Sequence, residues 1–254
     1  MATRKREWFD DESYWRELYS FMFSEKRMAV AAEEIKKVIR LAKPKGKRVL
    51  DLCCGPGRFS VALAKRHFRV TGVDRTKYLL DKAKTRAKKA GVKIEWVRKD
   101  MRDFVSPNSF DLVLNTYTSF GYFQNKGEDL QVLKNIYDSL RPGGVCLIDT
   151  MGKERLAKIF PKTAGETLDD GSLLVHRHEI IDDWTRIRNE WILIRKNRAK
   201  RFKFDLTIYS GQELKDRMER IGFRDLELYG DMDGAEYGPK AERLIIIGRK
   251  GKER

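Results

Sequence analysis

Between Trp8 and Phe23 aromatic residues are interleaved with acids (Asp10, Asp11, Glu12), a pattern that predicts short helices. Met28, Ala32, Ile35 and Ile39 then recur at helical spacing and predict one amphipathic helix over 25–42, which Pro44 and Gly46 end. Beyond it, short apolar runs near 48–53, 69–74, 94–99, 110–115 and 144–150 alternate with helical stretches. One helix starts at Arg58; others cover 77–90 (Leu80, Ala83, Ala87) and 126–140 (Leu130, Leu133, Tyr137). Such alternation builds a parallel, doubly wound α/β sheet. After Asp149 the period falls to two. Three strands are predicted at 173–182, 186–195 and 198–208, with turns at Asp182-Asp183 and Asn197. This antiparallel insert is too small to hold a core by itself, and its expected place is over the ligand-binding end of the sheet. A helix over 211–221 and strands at 226–229 and 243–248 follow.

The chemistry concentrates at residues 49–60, Val-Leu-Asp-Leu-Cys-Cys-Gly-Pro-Gly-Arg-Phe-Ser. Val49 to Leu52 read as a buried strand, and Gly55 and Gly57 open a tight loop before the helix. A glycine loop between a parallel strand and a helix lets a ligand approach bare backbone. Asp74 ends the next apolar run, where an acidic residue meets a ribose diol. A nucleoside-containing cofactor is therefore expected: a nicotinamide or flavin dinucleotide, or S-adenosylmethionine. A dinucleotide loop wants glycine or alanine where this chain has Ser60. A dehydrogenase stays as a residual alternative because of Asp74.

The rest of the series separates the two. Lys99-Asp100-Met101 ends a third strand, Phe110 to Asn115 forms a fourth, and Leu140-Arg-Pro-Gly-Gly144 leads into a fifth. In order and spacing, over roughly 40–150, these motifs resemble the class I S-adenosylmethionine-dependent methyltransferases. The segment Asn115-Thr-Tyr-Thr-Ser-Phe-Gly-Tyr-Phe123 resembles their small-molecule branch. The resemblance implies a Rossmann-like seven-stranded sheet whose last strand is antiparallel. It also implies a division into an N-terminal helical lid (1–45), a cofactor-binding core (46–150), a β insert over the active site (151–209) and a C-terminal completion of the sheet (210–254).

It further implies roles. Gly55 and Gly57 would lie along the methionine half of the cofactor, and Asp51 would support the loop and the ammonium group. Asp74 would accept both ribose hydroxyls, Asp100 the adenine amino group, and Met101 would pack on the ring. Asn115 and Thr116 would face the reactive methyl, and Cys53, Arg75 and Tyr19 complete the expected cofactor contacts. Tyr14, Trp15 and Tyr19 are expected to close as a lid. Tyr117, with Phe120, Tyr122 and Phe123, would shield the sulfonium by cation–π attraction. Transfer from a sulfonium needs alignment and desolvation more than a triad, so a base is required only for a hydroxyl or carbon acceptor. Tyr117, His176 and Tyr209 are the candidate catalytic residues, with Tyr237, Arg243 and the acidic loop 229–237 as candidate substrate contacts. His176 and His178 share one face of an insert strand, where alternation alone would put them.

Composition adds limits. Of 254 residues, 36% are charged and the formal net charge is +16. Eight bases against one glutamate over 186–203 raise the alternative of a tRNA or rRNA substrate, but basic residues are spread over the whole chain. The Asn/Asp-Pro-Pro-Tyr signature of many base-methylating enzymes is absent; here the strand ends Asn115-Thr-Tyr-Thr. Three cysteines give neither a disulfide framework nor a zinc spacing, so no metal is expected. No apolar run reaches membrane-span length and Met-Ala-Thr-Arg-Lys-Arg is no targeting segment, which sets a cytoplasmic expectation. Abundant charge with three glutamines resembles proteins from hot environments. The resulting expectation is transfer of a methyl group to N or O of a small molecule by a monomer or homodimer. A non-catalytic cofactor-binding module is the alternative from another class.

Overall fold

The computed structural model describes residues 7–251; the basic N-terminal hexapeptide weighed above for targeting lies outside the described residues. A 3-10 turn at Trp8–Asp10 is followed by α1 (Glu12–Glu17), α2 (Tyr19–Met22), α3 (Glu25–Ala29) and α4 (Ala31–Ala42). The core then runs β1 (Arg48–Leu52), α5 (Arg58–Ala64), β2 (Arg69–Asp74), α6 (Lys77–Lys89), β3 (Glu95–Arg98), β4 (Phe110–Asn115), α7 (Lys126–Ser139) and β5 (Leu140–Thr150). Next come α8 (Lys153–Lys158) and the insert strands β6 (Thr163–Thr167), β7 (Leu173–Ile181), β8 (Arg186–Arg195) and β9 (Arg198–Thr207). The chain closes with α9 (Gly211–Ile221), β10 (Phe223–Tyr229) and β11 (Leu244–Lys250).

The main sheet has seven strands in the order β10-β11-β5-β4-β1-β2-β3. Strands β1 to β5 are parallel, and β11 enters antiparallel between β5 and β10. Period-two alternation feeds both faces. Val49, Leu112, Leu114, Leu147, Ile245 and Ile247 pack under α4 and α5; Leu50, Leu52, Val113, Ile148 and Ile246 pack under α7 and α9. Strand order reverses at β1, which lies between β2 and β4, so the crevice for a ligand opens beyond the carboxyl ends of β1 and β4.

Three departures from the sequence pattern have physical reasons. The helix over 25–42 breaks at Val30, which caps α3 and stands exposed. Only α4 keeps its stripe (Ala31, Ile35, Val38, Ala42) in the core, so the last part of the expected lid belongs to the helical layer of the sheet. Strand β6 is exposed at every residue and has no apolar period to read; it is held by its backbone ladder to β7. Strands β6 to β9 form a separate antiparallel sheet. That sheet packs Leu174, Leu193, Phe202 and Phe204 against Tyr14 and Leu18 of the N-terminal helices, so cap and insert share one apolar cluster.

Candidate functional site

The loop after β1 is shaped by two left-handed glycines, Gly55 (φ 54°) and Gly57 (φ 76°). They do different work. A Cβ on Gly57 would meet Trp96 at 2.9 Å and Ala83 at 3.0 Å, so this glycine lets β3 and α6 close on the loop. A Cβ on Gly55 would meet only the ring of Phe23, at 3.5 Å, so its face is bare backbone under the cap. The Gly55 N–H donates to Asp74 Oδ2 (2.9 Å) and the Thr76 N–H to Asp74 Oδ1 (2.9 Å). The Thr76 side chain is a third partner of this carboxylate, which leaves about one acceptor direction for a ribose hydroxyl. Burial raises the Asp74 pKa, against the pull of those backbone bonds.

Asp51, on β1, is buried and accepts a hydrogen bond from Ser60 Oγ at 2.5 Å. The serine that breaks the dinucleotide pattern is thus the anchor of this carboxylate. Desolvation pushes Asp51 up to about 6, offset in part by the Ser60 bonds and reinforced by the charge of Asp74. Cys53 follows with φ 64°, its Sγ 3.4 Å from Met101 Sδ, and burial raises its thiol pKa. Across the crevice, Asn115 Nδ2 donates to the Leu52 carbonyl (3.3 Å), while its buried Oδ1 has no partner among the described residues. Thr116 is buried beside it, and its carbonyl accepts from Ser119 Oγ (2.9 Å).

After β3, Asp100 sits in a cage of arginines. Its Oδ1 accepts from the Arg102 N–H (2.8 Å) and Nε (3.1 Å); its Oδ2 accepts from Arg102 Nη2 (2.8 Å) and Arg75 Nη1 (2.8 Å). Burial pushes this carboxyl up, but the Arg102 and Arg75 hydrogen bonds and charges outweigh it and hold it below its usual range. Arg102 also binds Glu7 (2.6 Å) and Glu128 (2.8 Å), and lies 4.2 Å from the Phe123 ring centroid. Arg75 pairs with Asp10 and stands 4.5 Å over the ring of Phe9. Phe9 packs into the same cluster as Met101 and Phe123. Glu7, Phe9, Arg102 and Glu128 stand in this cage without having been among the expected site residues. The one signal that could have found Arg102 is its Asx-turn spacing after Asp100.

The three side chains expected to do chemistry are each held by different neighbours. Tyr117 (φ 56°) is 43% exposed; its hydroxyl is held by Glu34 of α4 and Arg58 of α5 (2.6 Å from Nη2), so it turns to the helical layer. Tyr209 is buried, and its hydroxyl donates to Asp129 Oδ2 at 2.6 Å. Desolvation and the Asp129 charge raise its pKa far above that of a free tyrosine, and its proton is committed to Asp129. His176 lies on β7 with its ring 4.8 Å from Trp191 and 5.6 Å from Phe21. Burial and the neighbouring His178 push it down to about 4, so the imidazole is neutral at physiological pH. Tyr19, expected at the cofactor, packs on Phe23 and Tyr78 with its hydroxyl 3.5 Å from Arg86 on α6. Arg243 donates to Asp149 (2.6 Å), and the Tyr237 hydroxyl is bound by Glu154.

A cavity of about 530 Å³ opens where cap, insert and core meet, walled by Trp8, Tyr122, Phe204, Arg102, Glu128 and Arg186. A larger groove of about 620 Å³ lies on the outer helical face between α4, α5 and α6, lined by Arg58, Lys65, Lys82, Arg86 and Lys89 over small apolar residues. The smaller cavity is the one adjoining the Asp100 cage, and chemistry rather than size selects it. Among the described residues no cluster of His, Cys, Asp or Glu could hold a metal ion, and no helix is long and apolar enough to cross a membrane.

Residues 49–144 match the family model described as a methyltransferase domain. The chain is 25% identical over 221 residues to the protein YqeM of Bacillus subtilis (strain 168), whose name assigns it provisionally to the methyltransferases; the match spans 85% of this chain and 89% of YqeM. The fold is similar to an S-adenosylmethionine-dependent methyltransferase from Clostridium acetobutylicum ATCC 824 (TM-score 0.78, 16% identity, 94% of this chain and 98% of that one). It is also similar to the S-adenosylmethionine-bound amino pentose methyltransferase CalS10 from Micromonospora echinaspora (TM-score 0.66, 20% identity, 98% and 99% covered).

Proposed function

Proceeding from the chain's place among the class I S-adenosylmethionine-dependent methyltransferases, we propose that it methylates a small molecule at nitrogen or oxygen, and that an amine suits the site better. The observation that carries the small-molecule reading is the roof. Cap and insert share one aromatic cluster, and the cavity they border, beside Arg102 of the Asp100 cage, measures about 530 Å³. That is the size of a small-molecule pocket, not of a polymer channel. The insert's charges point the same way. Arg186 is paired with Asp182, Arg188 with Asp205, Lys203 with Glu190, and Arg195 and Lys200 with Glu17, so five of the eight bases in the run are ion-paired within the protein.

The residues present fit the cofactor. Bare Gly55 backbone, the Asp74 carboxylate at the end of β2, the desolvated Asp51 carboxylate and the unpartnered Asn115 Oδ1 together match a ribose hydroxyl and positive charge. Once bound, S-adenosylmethionine supplies a methyl group already activated on a sulfonium, open to in-line displacement. The protein's part is then to align the acceptor and exclude water. Tyr209 is tied to Asp129, and His176, held near 4, is a weak base. A neutral amine places the lightest demand on such groups, and the fold's likeness to an amino pentose methyltransferase supports that acceptor.

The test is transfer of radiolabelled methyl from S-adenosylmethionine into a cell extract separated into small molecules, RNA and protein. Label in the small-molecule fraction, on nitrogen, is the expected result. Label in RNA would overturn the reading and turn attention to the basic insert or the outer groove. Tight cofactor binding with no label in any fraction would favour a binding module.

A further inference from the structure

Asp100 accepts four hydrogen bonds, two on each oxygen. A carboxylate has about four acceptor directions, so its capacity is filled. An adenine amino group can bond to it only by replacing a donor already there. The two arginines differ in how firmly they are held. Arg102 has a side chain 3% exposed and supplies three of the four bonds, one from its backbone; it is wedged between Glu7, Glu128 and the Phe123 ring. Arg75 has a side chain 30% exposed and supplies one bond. It also has acids to fall back on: Asp10, already bound, and Glu7 at 3.6 Å. Its face lies on the Phe9 ring, which supports the guanidinium with or without Asp100.

We propose that Arg75 is a placeholder for the adenine amino group: it fills one acceptor position of Asp100 and yields it when the adenine binds, retained by Asp10 and Glu7. The proposal rests on the reading of Asp100 as the acid that meets the adenine. It makes Asp100 the residue that selects the base and Arg75 the group that moderates that selection. A base that donates a proton to Asp100 can replace the guanidinium, whereas a base presenting a carbonyl there cannot. It also joins base recognition to the cap, because the residues that receive Arg75 belong to the 7–10 segment.

Binding of S-adenosylhomocysteine and S-inosylhomocysteine, its 6-oxo analogue, to the full chain tests this by calorimetry. Wild type is expected to prefer the adenosyl compound; equal binding within twofold would remove the Asp100 assignment itself, whatever Arg75 does. In Arg75→Met the competitor is gone. Adenosyl affinity should rise about 3- to 5-fold, the scale of one partly exposed ion pair, and the preference over the inosyl compound should widen. Adenosyl affinity that falls or stays within twofold, or a narrowed preference, overturns the placeholder role. Asp10→Asn provides the second readout, since it strips Arg75 of its receiver. Adenosyl affinity should drop by a similar factor in that variant, and the drop should vanish in the Arg75→Met/Asp10→Asn pair. Additive effects in the pair would also overturn the proposal.

Discussion

Gly55 and Gly57 stand two residues apart and respond differently to a side chain. Gly57→Ala forces a Cβ against Trp96 and Ala83 in a left-handed backbone, so a stability loss of about 2–4 kcal/mol is expected, visible as a lowered Tm. At Gly55 a Cβ meets only Phe23, so Gly55→Leu, at a left-handed backbone cost of about 1–2 kcal/mol, should keep the fold while abolishing cofactor binding; retained affinity would take the loop out of the site. Asp51 gives a second residue-scale test. Its folded pKa of about 6 lies above the ordinary 3.8 because burial disfavours the charge. Between those values the folded protein holds a proton that the unfolded chain has lost, so this carboxyl makes stability fall as pH rises through the window. Binding of a cation favours the ionised form, so S-adenosylmethionine affinity should weaken below about pH 6, by up to about tenfold per unit. Asp129, also pushed to about 6 by burial, titrates in the same window. Asp51→Asn should therefore flatten the binding profile while leaving part of the stability slope; an unflattened profile would remove Asp51 from cofactor binding.

The cap and the insert are elements that complete each other. Tyr14 packs edge-on to Trp8, Trp15 and Phe202, and Leu174 and Leu193 fill the cluster from the insert. Tyr14→Ala should cost about 3 kcal/mol. The loss should appear as faster amide hydrogen exchange over 8–23 and β7–β9 with the main sheet still protected. A loss spread evenly over all elements would show that the cap is no separate unit. Elements with a buried face were legible in sequence: β2, β4 and α9 follow from their periods, and the capping box of Ser210 and Glu213 marks the start of α9. Elements without one were not, because β6 exposes every side chain and Val30 interrupts a stripe that otherwise keeps helical spacing.

At the scale of the molecule, the +16 charge is the property most open to misreading. Arg195 and Lys200 bind Glu17 and so hold the cap, which makes them poor probes of nucleic-acid binding. Lys196, Arg198 and Arg201 stand exposed on the β8–β9 hairpin. Reversing these three to glutamate should leave turnover on a small molecule unchanged. Loss of turnover at constant cofactor affinity would instead identify a polyanionic substrate.

The glycine loop, the acids at the ends of β1, β2 and β3, and the alternation that orders them are local or periodic features, so the sequence by itself determined the fold and the cofactor. Tertiary structure decided what each polar group is free to do. Only packing ties Tyr209 to Asp129, turns Tyr117 toward Glu34 and Arg58, and fills every acceptor direction of Asp100 with arginine. The physical reason is that a hydrogen-bonding group has few directions to offer. Which of them are already used depends on residues distant in the chain, such as Glu7 against Arg102 and Asp10 against Arg75, which no spacing records.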